Sequence, residues 1–181
     1  IFYTSSDGKI IEPHDPNVFG GVLVSNTYEN GVGVMVFDRA ITEVEKSAFS
    51  VKSRLTNIAL PNGIVSIGSY AFSRCTALTR IVIPNSVTSI GSNAFNECNN
   101  LENIYIPNDV TTIGSYAFNY CISLNSITLP ENLTSLGIGL FSGCNSLTRI
   151  VIPNSVTCIG NPKDISSGKT FENCTSLQEV V

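Results

Sequence analysis

The chain has 181 residues, of which 43% are hydrophobic and 13% charged, with a formal net charge of −4 at pH 7. That much apolar material supplies a core and excludes disorder. With no Lys/Arg cluster, the chain lacks the electrostatic footing that nucleic acids and anionic membranes demand. No apolar run approaches the ~20 residues of a membrane span, so direct membrane insertion is not expected either.

In chain order, IFYTSSDGK lacks the basic and apolar regions of a signal peptide. Ile1-Phe2-Tyr3 and Ile10-Ile11 flank Asp7-Gly8, and an Asp-Gly pair between apolar runs predicts a β-hairpin. Pro13 and Pro16 interrupt any ladder. Val22-Leu23-Val24 and Val32-Gly33-Val34 then flank Asn30-Gly31, a second hairpin signal. Residues 1–31 are read as an N-terminal β-hairpin cap, because a stacked array leaves the apolar face and edge of its first coil open.

From residue 32 the chain repeats. Prolines fall at 61, 84, 107, 130 and 153 and cysteines at 75, 98, 121 and 144, both 23 apart. A fixed period of that length signals a solenoid or array. The unit reads L-x-x-I-x-I-P-x-x-V-T-x-I-G-x-x-A-F-x-x-C-x-x. A degenerate first copy runs from Val32, with Asp38, Glu45 and Lys52 in place of the proline, glycine and cysteine. Fuller copies begin at Leu55, Leu78, Leu101 and Leu124, and a sixth at Leu147 is stretched by an insertion at 161–169. Leu177 to Val181 starts a truncated seventh, so 32–181 forms one repeat domain.

Within one unit, Ile81 and Ile83 share one face of a short strand. Pro84 ends its ladder and turns the chain. Val87 to Ile90 is a second extended piece, and Gly91 permits a bend that a side chain would hinder. Ser92 to Cys98 suits a short helix or 3₁₀ turn, with Ser92 as cap and Ala94, Phe95 and Cys98 on one side.

The run Ile83 to Cys98, I-P-x-x-V-T-x-I-G-x-x-A-F-x-x-C, resembles the BspA-like, 23-residue Treponema-type leucine-rich repeat. Tyr3-Thr4-Ser5, Phe19-Gly20 and Tyr28-Glu29-Asn30-Gly31 are similar to the segment that precedes such repeats. The resemblance implies an α/β solenoid, a leucine-rich-repeat right-handed superhelix with a parallel β-sheet on one face and an N-terminal β cap. It further implies a secreted or cell-surface protein of a host-associated microbe that acts in adhesion and protein binding.

Candidate chemistry is sparse. Cys75, Cys98, Cys121 and Cys144 share one slot, so they are expected as an inward column of free thiols. Disulfides are disfavoured because stacked side chains point in parallel, and zinc because no CxxC or Cys/His pairing exists. Cys158 replaces a surface-type serine and is expected to be the most exposed thiol. His14, the only histidine, has no nucleophile placed beside it and reads as a loop residue. Ser167-Gly168-Lys169-Thr170 mimics the tail of a phosphate-binding loop, but Lys163 stands where that motif needs glycine. Asn132-Leu133-Thr134 and Asn173-Cys174-Thr175 match the glycosylation acceptor pattern, as chance allows in so Asn- and Thr-rich a chain.

The remaining candidate is a surface. Outward positions of the strands form one column of Val34, Asn57, Arg80, Asn103, Ser126, Arg149 and Glu179. The neighbouring column is Val36, Ala59, Val82, Tyr105, Thr128, Val151 and Val181. Asn57, Arg80, Val82, Asn103, Tyr105, Arg149 and Val151 are the candidate protein-contact surface, since tyrosine and arginine are enriched at binding hot spots. Strand propensity alone is the competing account of the valines. Lys163, Asp164 and Lys169 are the candidate contact loop, because loops bulging from one repeat are common binding features. The expected function is therefore a non-enzymatic extracellular protein–protein interaction or adhesion module, with host or microbial surface proteins as partners and no cofactor or metal. A structural spacer and a carbohydrate-binding module are the alternatives.

Overall fold

The computed structural model describes residues 1–17, 19–160 and 169–181. The chain is a β-solenoid. At its start, β1 (Phe2–Ser5), β2 (Leu23–Glu29) and β3 (Val32–Phe37) run antiparallel. Thereafter short strands alternate between two faces. One face carries β5 (Leu55–Ala59), β7 (Arg80–Val82), β9 (Asn103–Tyr105), β11 (Ser126–Thr128), β13 (Arg149–Ile150) and β15 (Glu179–Val180). The other carries β4 (Glu43–Val44), β6 (Ser66–Ile67), β8 (Ser89–Ile90), β10 (Thr112–Ile113), β12 (Ser135–Leu136) and β14 (Cys158–Ile159). Pairing between coils is parallel throughout, with Ile58 opposite Ile81, Ile67 opposite Ile90 and Ile104 opposite Ile127.

The hairpin expected around Asp7-Gly8 does not form. Residues 9–11 are not strand, and β1 instead inserts between β3 and β5, antiparallel to both. Pairing on both edges with long partners outcompetes a local two-stranded ribbon, which is marginal by itself. The second hairpin is present: Asn30 (φ 50°) and Gly31 (φ 83°) make the tight turn between β2 and β3. Val34 and Val36 therefore do not sit next to Asn57 and Ala59 as a stacked first copy would; Phe2 lies opposite both Val34 and Ala59.

Each coil changes direction for identifiable reasons. The proline carbonyl accepts the amide of the residue three positions on, as in Val87 N–H to Pro84 O at 3.1 Å and Val110 N–H to Pro107 O at 3.1 Å. Proline thus ends the first strand and opens the turn to the second. Gly91 then bonds Ile67 O of the preceding coil at 2.7 Å. Its φ is not positive; a Cβ there would lie 2.4 Å from Ser69 N and 2.7 Å from Gly68 C. The glycine is required by close approach of two backbones rather than by an unusual bend.

Ser92 to Cys98 forms no helix, which corrects the α/β expectation. No α-helix occurs among the described residues, and residues 169–171 make a single 3₁₀ turn. The segment is a ribbon of linked turns whose amides alternate in direction. Ala94, Asn96 and Cys98 donate to Gly91, Asn93 and Phe95 within the coil. Asn93, Phe95 and Glu97 donate to Ser115, Ala117 and Asn119 of the next coil. Asn93 (φ 57°) and Glu97 (φ 58°) reverse the sense of the turn, which a helix cannot accommodate. A seven-residue helix is marginal in any case, and the alternating pattern satisfies every one of these amides while tying coils together. The amphipathic pattern survives, since Ala94, Phe95 and Cys98 are fully buried.

Stacking of identical slots builds the core. Phe49, Phe72, Phe95, Phe118 and Phe141 are fully buried, with successive ring centroids 5.3–5.8 Å apart and planes within 8°. Each buried phenylalanine contributes roughly 1.5–3 kcal/mol. Around them lie the inward leucine and isoleucine columns.

Candidate functional site

The thiol column lies where the repeat places it. Cys75, Cys98, Cys121 and Cys144 are fully buried and free, and Cys158 and Cys174 are half-buried and free. Cys158 and Cys174 are thus the two thiols that reach the surface. The core thiols have a role beyond filling space. Cys98 Sγ donates to Phe72 O at 3.1 Å and Cys121 Sγ to Phe95 O at 3.2 Å. The same carbonyl also accepts the amide of its own coil's cysteine, so each thiol adds a second bond to a buried oxygen. Burial pushes the Cys75 thiol up to about 12 and the Cys98 and Cys121 thiols well above their ordinary value. These groups stay protonated and unreactive in the fold.

His14 Nε2 lies 2.8 Å from Ser50 O on the exposed margin, tying the N-terminal loop to the first coil. Among the described residues, no group of three or more His, Cys, Asp or Glu side chains could hold a metal ion. No helix of the described residues is long and apolar enough to cross a membrane. Lys163 and Asp164 lie outside the described residues; Lys169 is exposed at the start of the 3₁₀ turn.

The strand face gathers the surface residues. Asn57 is opposite Arg80 and Ala59 opposite Val82; Asn103 is opposite Ser126 and Tyr105 opposite Thr128; Arg149 is opposite Glu179. Arg80, Val82, Asn103, Tyr105, Arg149 and Val151 are exposed, and Asn57 is half-buried. Because strand side chains alternate, the isoleucines between them point inward and are buried. Two parallel rows result, one polar and one apolar, each crossing the coils.

Three shallow hollows interrupt this face. The largest, about 610 Å³, is lined by Asn57, Arg80, Val82, Glu102, Asn103 and Tyr105. The next along the coils, about 310 Å³, includes Arg149 and Val151, and one of about 340 Å³ lies at the N-terminal end beside Phe2, Ala59 and Val82. Five of the seven surface candidates therefore share one hollow and the other two share the next. Arg149 Nε is 2.5 Å from Glu179 Oε2, so its charge is countered. The other ion pairs among the described residues are Arg39–Asp38, Arg54–Asp7 and Arg74–Glu97, and Arg80 belongs to none.

One residue of the face escapes the sequence reading. Phe2 is 59% exposed, between Val34 and Ala59, and extends the apolar row of Val82 and Tyr105 toward the N-terminus. Tyr3 beside it is buried, so the alternation of exposed Phe2 and buried Tyr3 is a strand signal. That signal does not say which sheet the strand joins. Thr4 follows on the polar row, within 2.6 Å of Thr56 Oγ1 and accepting from Asn57 Nδ2 at 2.8 Å.

Comparison with known proteins agrees with this geometry. The family described as BspA type leucine-rich repeat region matches residues 42–178 in six copies. No curated protein matches the chain. Among solved structures, a leucine-rich repeat protein of Bacteroides ovatus is 27% identical with TM-score 0.57, covering 86% of this chain and 43% of its own. The leucine-rich repeat protein of T. pallidum is 29% identical with TM-score 0.57, covering 78% of this chain and 73% of its own. A leucine-rich cell surface protein of Faecalibacterium prausnitzii is 25% identical with TM-score 0.52, covering 75% and 44%. The chain thus spans less than half the length of the Bacteroides and Faecalibacterium proteins. With six matched copies, stacked coils and parallel ladders in register, the chain belongs to the BspA type leucine-rich repeat family, generally a non-enzymatic scaffold that mediates protein interaction.

Proposed function

We propose that this chain is an extracellular recognition module that binds a protein partner through the strand face, in an adhesive setting at a microbial surface. The observation that carries the reading is the contrast between two classes of column. Inward columns repeat one residue type and are buried, whereas the outward rows hold Phe2, Arg80, Val82, Tyr105 and Arg149, exposed and doing little for stacking. Exposed aromatic, aliphatic and arginine side chains gathered in a shallow hollow supply the anchors that protein interfaces use. Surface location draws support from the Faecalibacterium relative, described as a cell surface protein. Residues 1–31 act as the cap of the array, a role supported by the pairing of β1 with β5, which covers the edge of the first strand on that face.

The test is an array of purified extracellular-matrix, serum and microbial surface proteins, with a glycan array beside it. It compares the chain with its R80A/Y105A/R149A variant. A protein ligand whose binding drops at least tenfold in the variant supports the reading. Binding unchanged by the substitutions moves the contact off this face, and binding to glycans alone replaces the protein reading with a carbohydrate one.

A further inference from the structure

We infer that the largest hollow is a carboxylate subsite, built to take one Asp or Glu side chain of a partner polypeptide beside an apolar residue. This deepens the proposed protein-binding role and rests on that reading of the face. Arg80 is exposed and outside every ion pair among the described residues, unlike Arg149, which Glu179 neutralises. Asn103, on the adjoining coil, accepts from Ser126 Oγ at 2.6 Å through Oδ1. Ser126 lies on the far side of Asn103 from Arg80, so that bond occupies the amide oxygen and leaves the NH₂ as the donor Asn103 can still offer. Arg80 and Asn103, on neighbouring coils, thus both bring donors to the same hollow. A guanidinium presents its donors as a planar fork that matches a carboxylate, and a charge-assisted pair is about twice as strong as a neutral one.

The apolar half of the recognition follows from the next row. Val82 and Tyr105 border the hollow, 46% and 59% exposed. They lie two residues along the strand from Arg80 and Asn103, about 7 Å away at ~3.4 Å per residue. That separation matches side chains at i and i+2 of an extended ligand, or neighbouring side chains on a turn. Glu102 also lines the hollow, and its charge opposes the incoming carboxylate, which keeps the binding weak.

The experiment titrates the full ¹⁵N-labelled chain with acetyl-Asp-Ala-Phe-amide and with acetyl-Asn-Ala-Phe-amide, reading the Arg80 Nε–H and Asn103 side-chain amide resonances. The expected result is millimolar binding of the Asp peptide that moves both resonances, and binding of the Asn peptide about tenfold weaker. In R80Q, the two peptides should bind alike. Equal affinity for both peptides in the wild type, with shifts at Phe2, Val82 and Tyr105, overturns the carboxylate subsite while leaving the face as contact surface. Shifts confined to residues off the strand face overturn both. Galacturonate moving the same resonances more strongly than the Asp peptide reassigns the hollow to an acidic sugar.

Discussion

The glycine column sets how closely coils can stack, and Gly91→Ala measures what that closeness is worth. An added Cβ would meet Ser69 N at 2.4 Å, Gly68 C at 2.7 Å and Ser69 Cα at 2.8 Å, all backbone atoms with no rotamer to yield. Ordinary contact begins near 3.4 Å, so the coils must part by about 1 Å. The Gly91 N–H to Ile67 O bond of 2.7 Å lies at that point and stretches with them. Overpacking of this kind costs about 1–3 kcal/mol, and loss of a backbone bond adds about 1 kcal/mol. Against this, alanine restricts the unfolded chain and returns about 0.4–1 kcal/mol. The net expectation is a loss of about 1–3.5 kcal/mol. At a urea m-value of ~2 kcal/mol/M, the midpoint falls by about 0.5–1.8 M. Gly137→Ala is the internal comparison, because its nearest contacts are 2.9 Å and its loss should be smaller. Urea unfolding followed by circular dichroism reads both. A Gly91→Ala midpoint equal to or above the wild type, or a larger loss at Gly137, refutes the close-approach argument.

Val51 is β-branched, 58% exposed and held at φ 60°. Replacing it with Asn, which tolerates that region, should raise stability by about 1 kcal/mol, read as a higher urea midpoint. The buried thiols give a pH dependence of known sign. Their folded pKa is raised, so their stabilising effect is complete below the ordinary thiol range and is lost as pH climbs through it toward about 12 for Cys75. Between pH 9 and 11 the melting temperature should fall, and a Cys98→Ala/Cys121→Ala variant should fall less steeply. In the native protein, a thiol reagent at pH 8 should label Cys158 and Cys174 while the four fully buried thiols react only on unfolding.

Period and residue type made the stack legible. A proline that ends a strand, a phenylalanine slot and a cysteine slot each recur at 23 residues, and one set of φ/ψ choices must serve every copy. What failed did so where partners come from outside the repeat. The Ser92–Cys98 segment carries helical spacing, but its amides bond alternately within the coil and to the next one, and local spacing encodes only the first set. Gly91 reads in the sequence as a bend residue, whereas what requires glycine is the backbone of the coil before it. Phe2 shows the same limit: Asp7-Gly8 advertises a local hairpin, and only the open edge of β5 explains why β1 goes elsewhere. The outward rows were legible because strand alternation fixes them, except at their N-terminal end, where the inserted strand displaced Val34 and Val36.

That division between inward and outward columns has a consequence for how recognition and stability are coupled. Arg80, Tyr105 and Arg149 are exposed, and the one ion pair among them, Arg149–Glu179, lies between side chains more than half exposed. Such a pair contributes about 0–1 kcal/mol. Removing all three should therefore leave the unfolding midpoint within about 1 kcal/mol of the wild type. Phe95→Ala, by contrast, empties a slot between two rings 5.4 Å away on either side and should cost about 3–5 kcal/mol. In a stack where each coil touches only its neighbours, that loss weakens two interfaces at once. A triple variant that loses stability on the scale of Phe95→Ala would mean the outward row is structural after all. A variant that keeps its midpoint but loses its partner would separate the two roles within a single 23-residue unit.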